Sequence, residues 1–239
     1  MAVVAAGLPC TLRDQLTALL ERGRYREAER AGDAHLDQVR DPAALATRCL
    51  DVAALWRDKG APHRGLRYAE TALATAPGDA RAHAVRLSCL PPEHRLYEAI
   101  EAAREAVTRC PDEPGLWLTL AELLTGAGLR LEALDAATRG LGREPDHEGL
   151  RLHRGAALLA LGRDEEAGAA FAGLPAPEVT AAYLRLNMAE EAVAVLDPGD
   201  PEHVPSLLEC LVGAGRRPEA CAAARAADRG HAGAQTAVA

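Results

Sequence analysis

"ELLTGAGLRLEALDAATRGLGREPD", residues 122–146, reads as the end of one helix, a glycine turn, a second helix and a closing proline. In the second helix Ala133, Ala137 and Gly140 fall at i, i+4 and i+7, on one side of an α-helix. A face with almost no side chain on it contributes little apolar area. Its value is close approach, since small residues let a neighbouring helix or a large side chain come in. The segment predicts a helix packed tightly against its neighbours, and the question is whether that arrangement recurs.

It recurs with a fixed period. Pro77, Pro111 and Pro145 are separated by 34 residues each. With each repeat numbered from its first helical residue, position 20 holds Ala28, Gly65, Ala99, Ala133, Ala167, Ala192 and Ala220. Position 15 holds Gly23, Gly60, His94, Gly128, Gly162, Asn187 and Gly215. Glycine and asparagine tolerate the left-handed conformation that ends a helix, so this column is the turn. Position 11 is large, with Leu19, Trp56, Leu90, Leu124, Leu158, Tyr183 and Leu211. Position 24 is mostly small: Gly32, Ala69, Ala103, Ala137, Phe171, Leu196 and Ala224. Large residues of each first helix fill the space that small residues of the second leave open. One hairpin alone buries too little, so stacking supplies the core.

The spacing resembles the tetratricopeptide repeat family. Residues 114–147 match it best, with Trp117, Leu120, Leu124, Gly128, Ala133, Ala137 and Pro145 at the family's signature places. The resemblance implies an all-α fold, a right-handed superhelical solenoid of about seven antiparallel helix pairs. It would form a single domain over residues 9–230, with residues 1–8 and 231–239 as disordered tails. A pentatricopeptide array would have a 35-residue period and a basic surface, and HEAT or armadillo units run to about 40 residues or more. Two departures stand out. Pro91-Pro92 predicts that the first helix of the third repeat stops early, with His94 in place of the turn glycine. The sixth repeat is squeezed between "GLPAPE" and "DPGDP", leaving a short first helix at about Glu178 to Leu186 and irregular backbone at 174–177 and 197–201.

Composition agrees with many closely packed helices. The 239 residues are 49% hydrophobic, with one Phe, two Trp and four Tyr, which is poor material for a sheet. A net charge of -8 argues against a sequence-independent nucleic-acid binder. The six cysteines form no CxxC pair and read as reduced core residues. Cys210 and Cys221 fall on the two helices of the last hairpin, and whether they pair is open. An export signal and a run long enough to span a bilayer are both missing, so the expectation is a soluble cytoplasmic protein with no membrane partner.

Chemistry-bearing motifs are sparse. "HEGLRLH" places His147 and His153 about 240° apart around a helix, so both cannot grip one ion. Ser88 and Ser206 lack a hydrolase context, and the glycines belong to turns rather than to a phosphate loop. No catalytic residue, metal or cofactor is expected.

In the tetratricopeptide family, first-helix residues line the concave groove where partners lie. Carried over by position, that lining holds Asp14, Asp51, His153 and Glu178 at position 6, Glu122 at position 9 and Asp58 at position 13. Position 5 adds an apolar run, Leu50, Ala84, Leu118 and Leu152. The resemblance therefore implies an acidic, partly apolar groove suited to a protein or peptide with a basic amphipathic segment. Relatives that clamp acidic chaperone tails use Lys and Asn at these places, and this chain has neither there. The expected function is a non-enzymatic adaptor. The alternatives are a peptide- or metabolite-sensing regulator on the same scaffold, switched at the sixth repeat, and an enzyme built on helical repeats.

Overall fold

The computed structural model describes residues 7–90, 92–186, 188–196 and 202–224. Among them are fourteen helices and no strand. The chain divides into two compact units, Met1–Pro145 and Asp146–Ala239. The first unit holds four hairpins: α1 (Cys10–Glu21) with α2 (Tyr25–Leu36), α3 (Pro42–Asp58) with α4 (Pro62–Thr75), α5 (Ala80–Ser88) with α6 (Pro92–Arg109), and α7 (Pro114–Gly126) with α8 (Arg130–Leu141). The second holds α9 (Glu148–Ala160) with α10 (Asp164–Phe171), α11 (Ala176–Arg185) with α12 (Ala189–Val195), and α13 (Val204–Gly213) with α14 (217–224). Within each unit a first helix also touches the first helix of the next hairpin. That is the tandem stacking the period predicts. No helix among the described residues is long and apolar enough to cross a membrane.

The turn column folds by one recurring device. Gly23, Gly60, Gly128, Gly162 and Gly215 all have φ between 68° and 76°. The N–H after each glycine donates to the carbonyl of position 11: Arg24 to Leu19, Ala61 to Trp56, Leu129 to Leu124, Arg163 to Leu158 and Arg216 to Leu211, at 2.7–3.0 Å. This six-to-one closure satisfies an orphan carbonyl at the helix end and reverses the chain. Met188 makes the same bond to Tyr183 in the sixth repeat at 3.0 Å, while the turn residue Asn187 lies outside the described residues. Residues 197–201 lie outside them too. Among the described residues the third repeat shows no such closure. α5 ends at Ser88, as the proline pair predicts, and His94 stands immediately before a break in the backbone. It lies in the first turn of α6, and the backbone break falls at Arg95, with φ −140° and ψ 37°.

All seven residues of the small column are buried, from 0% exposure at Ala28 to 7% at Ala220. Trp56, Leu90, Leu124, Leu158 and Leu211 from position 11 are buried against them. A further link joins successive repeats. Trp117 Nε1–H donates to the Pro111 carbonyl at 2.8 Å, and His83, at the same position one repeat earlier, donates from Nε2 to the Pro77 carbonyl at 3.0 Å. Each ring ties a loop carbonyl that closes the preceding repeat to the next first helix.

Ala133 and Ala136 are both buried, yet they tolerate enlargement differently. Ala136 opens onto a surface cleft, and Ala133 does not line it. Ala133→Leu should destabilise by about 1 to 3 kcal/mol, and Ala136→Leu by less, because its added methylenes can grow into the cleft. Thermal melts of the two variants check the order.

Candidate functional site

The first helices of the first unit, α1, α3, α5 and α7, lie in a row, and side chains cross from one to the next. Asp51 on α3 is the centre. Its side chain is 11% exposed, and its Oδ2 accepts the Leu8 N–H at 2.9 Å. Its Oδ1 accepts from Arg81 Nη2 on α5 at 3.0 Å, and Arg13 Nη2 on α1 stands 3.9 Å from Oδ2. One carboxylate thus ties the segment before α1 to three first helices. Leu8 itself is buried in the core. Lys59, just past α3, donates to Glu21 at 2.6 Å and holds that carboxyl below its usual range. Arg57 donates to Asp58 and, at 3.1 Å, to the Ser88 hydroxyl of α5.

The candidate residues occupy this row unequally. Asp14, Asp58 and Glu122 are exposed, and Leu118 is half-buried. Leu50 is a core residue at 1% exposure, so of the position-5 run in this unit only Ala84 and Leu118 reach the surface of the first-helix row. Arginines share the face with the carboxylates: Arg81 at position 2, Arg13 at position 5 and Arg57 at position 12. In this unit the charged residues at positions 6, 9 and 13 are all acids. The remaining candidates are on the first helices of the second unit. Leu152 and His153 on α9 are half-buried, and Glu178 on α11 is exposed. Burial, with the Arg185 guanidinium, holds His153 below the ordinary histidine range. His147 Nδ1 accepts the Leu150 N–H at 3.4 Å and so caps α9.

Two clefts open on the other side of the first unit, between second helices, and were not among the predicted sites. One, of about 540 Å³, lies between α2 and α4 over Leu45 and Cys49. On its wall the Tyr68 hydroxyl donates to Asp33 at 2.9 Å, and burial pushes that phenol up to about 12. The other, of about 810 Å³, lies two repeats on, between α6 and α8, over Trp117, Leu120 and Leu124. Their walls use equivalent positions with opposite charge, Asp33 facing Arg67 in one and Arg104 facing Asp135 in the other. The six thiols are free. Cys210 is buried and Cys221 exposed, and burial pushes Cys49 up to about 11 and raises Cys89, Cys110 and Cys210 as well.

No protein-family model matches the chain, and no curated protein matches it. Solved structures do. A crystal structure of MamA protein, a tetratricopeptide-like repeat protein, superposes with a TM-score of 0.53 at 18% identity, covering 73% of this chain and 91% of that one. A second MamA crystal structure gives 0.52 at 16% identity, over 71% and 94% of the two chains. A MamA RS-1 double mutant gives 0.52 at 15% identity, over 74% and 94%. At these identities the likeness is one of fold: tandem helix hairpins, as in the tetratricopeptide-like repeats.

Proposed function

We propose that this chain is a non-enzymatic adaptor of the cytoplasm that holds a protein or peptide against the first-helix row of its first unit. The observation that carries the reading is the cross-helix anchoring at Asp51. It fixes α1, α3 and α5 relative to one another while Asp14, Ala84, Leu118 and Glu122 remain turned outward or half-exposed. A surface set in advance spares a partner the cost of ordering it. Stacked hairpins also offer an extended face, which suits a chain segment better than a small molecule.

The partner we favour is a basic amphipathic segment. Its apolar side would cover Ala84 and Leu118. Its Lys and Arg side chains would meet Asp14 and Glu122 and compete with Arg81 and Arg57 for Asp51 and Asp58. Cross-linked affinity purification identifies the partner, and stopped-flow kinetics with the purified partner tests the surface. The Asp14→Lys/Glu122→Lys variant should associate about tenfold more slowly at low salt, with a flatter salt dependence. Leu118→Ala should act on the dissociation rate instead, since it removes a buried anchor without changing the long-range field. Asp51 is left intact because its loss would also release Leu8. Unchanged rates in both variants, with folding intact, would move the binding surface elsewhere.

A further inference from the structure

The second-helix side of the first unit carries an apolar patch that the reading above does not use. Tyr97 on α6 is 74% exposed and Leu131 on α8 is 70% exposed. Both occupy position 18 of consecutive repeats, so they have the same register on neighbouring second helices. Leu131 also stands on the rim of the cleft floored by Trp117, Leu120 and Leu124. A projecting apolar side chain and an apolar cleft therefore sit next to each other on one surface.

The charges around them indicate what fits. Arg104 spans the cleft to Glu132 and pairs with Glu101 at 2.5 Å, and Arg139 pairs with Asp135 at 3.0 Å. These side chains are between 42% and 69% exposed, so their present pairings are held weakly and exchange readily. A rim of one sign would select a partner of the other sign. A rim of alternating signs selects a surface that repeats them in reverse order, and a two-fold axis generates that surface from the chain itself.

We propose that the α6–α8 surface pairs with the same surface of a second copy of this chain. Leu131 of each copy enters the cleft of the other, Tyr97 covers the edge, and Arg104 exchanges Glu132 of its own copy for that of the other. Knob and cleft are then satisfied twice by one symmetry operation.

Sedimentation velocity on the full chain from about 1 µM to about 200 µM tests this. The parent should self-associate to a dimer within that range. Leu131→Glu should remain monomeric throughout, with an unchanged circular dichroism spectrum because the side chain it replaces is exposed. Arg104→Glu should weaken the dimer about tenfold, and Arg104→Glu/Glu132→Arg should recover it. A parent that is monomeric over the whole range overturns the proposal. So does a dimer that survives Leu131→Glu, or one broken by Leu118→Ala instead, which would put the contact on the first-helix face. The adaptor reading is tested by partner kinetics and stands or falls separately.

Discussion

Gly65→Ala should lower the unfolding free energy by about 2 kcal/mol, although alanine is the better helix former. Gly65 lies inside α4 on the face that meets α3. A Cβ there would stand 2.7 Å from the Ala53 carbonyl oxygen, 3.1 Å from Cys89 Sγ and 3.3 Å from Trp56 Cβ. The carbonyl belongs to the α3 backbone and cannot move alone. Trp56 is 1% exposed, and its ring is held by Tyr25 at 5.9 Å and by the Arg64 guanidinium at 5.6 Å. The methyl can therefore be admitted only by lifting α4, which also loosens Ala69 and Ala72. Helix propensity returns about 1 kcal/mol of an overpacking cost of about 3 kcal/mol, so the clash wins. Gly168 is the control. It is an exposed glycine inside α10 with nothing within 4 Å of an added Cβ, and Gly168→Ala should stabilise by about 0.5 to 1 kcal/mol. Urea titrations followed by circular dichroism compare the three proteins. A Gly65→Ala protein as stable as the parent would show that α3 and α4 are not packed this closely.

What the period made legible is what one hairpin must do in the same way as the next. The turn glycines and the buried small column are such features, because a left-handed turn and a close helix contact admit few residue types. Gly65 marks the limit of that reading. Six of the seven residues at position 20 are alanine, and nothing in the column says that the second repeat requires glycine. The reason is the particular approach of the Ala53 carbonyl. The candidate site shows a similar limit. Asp14, Asp51 and Asp58 were legible as carboxylates in first-helix columns, but Arg13 and Arg81 reach Asp51 from neighbouring helices and from other columns. Ion pairs across helices depend on the length and direction of side chains rather than on register alone. The same holds for His83, whose equivalence to Trp117 appears only when both rings are seen donating to prolyl carbonyls. Tyr97 and Leu131 share a column, yet their exposure follows from what packs over the start of each second helix, which no single repeat encodes.

Phe171 is the sharpest exception to the small column, and its compensation yields the other large effect. At position 24 the first four repeats have glycine or alanine, while the fifth places a phenylalanine that is 6% exposed. Room for it comes from Gly155 on α9. A Cβ on Gly155 would stand 2.3 Å from Phe171 Cε1, 2.6 Å from Cζ and 2.7 Å from Cδ1, so the ring lies directly on the glycine backbone. The ring also packs against Tyr183 of α11, with centroids 5.8 Å apart. Gly155→Ala must displace the ring from its place against Tyr183 and should cost about 2 kcal/mol. Phe171→Ala empties the site and should cost about 3 to 4 kcal/mol. The two changes should not add. With the ring gone, nothing opposes a methyl at residue 155, and alanine is favoured over glycine within a helix by about 0.5 to 1 kcal/mol. Gly155→Ala should therefore destabilise the parent and stabilise the Phe171→Ala protein, a reversal of sign that general damage to α9 would not produce. Urea unfolding of the parent, both single variants and the double variant measures the cycle. Additive losses would show that the Phe171 ring does not rest on Gly155, and that the fifth repeat accommodates its large residue by displacing α10 instead.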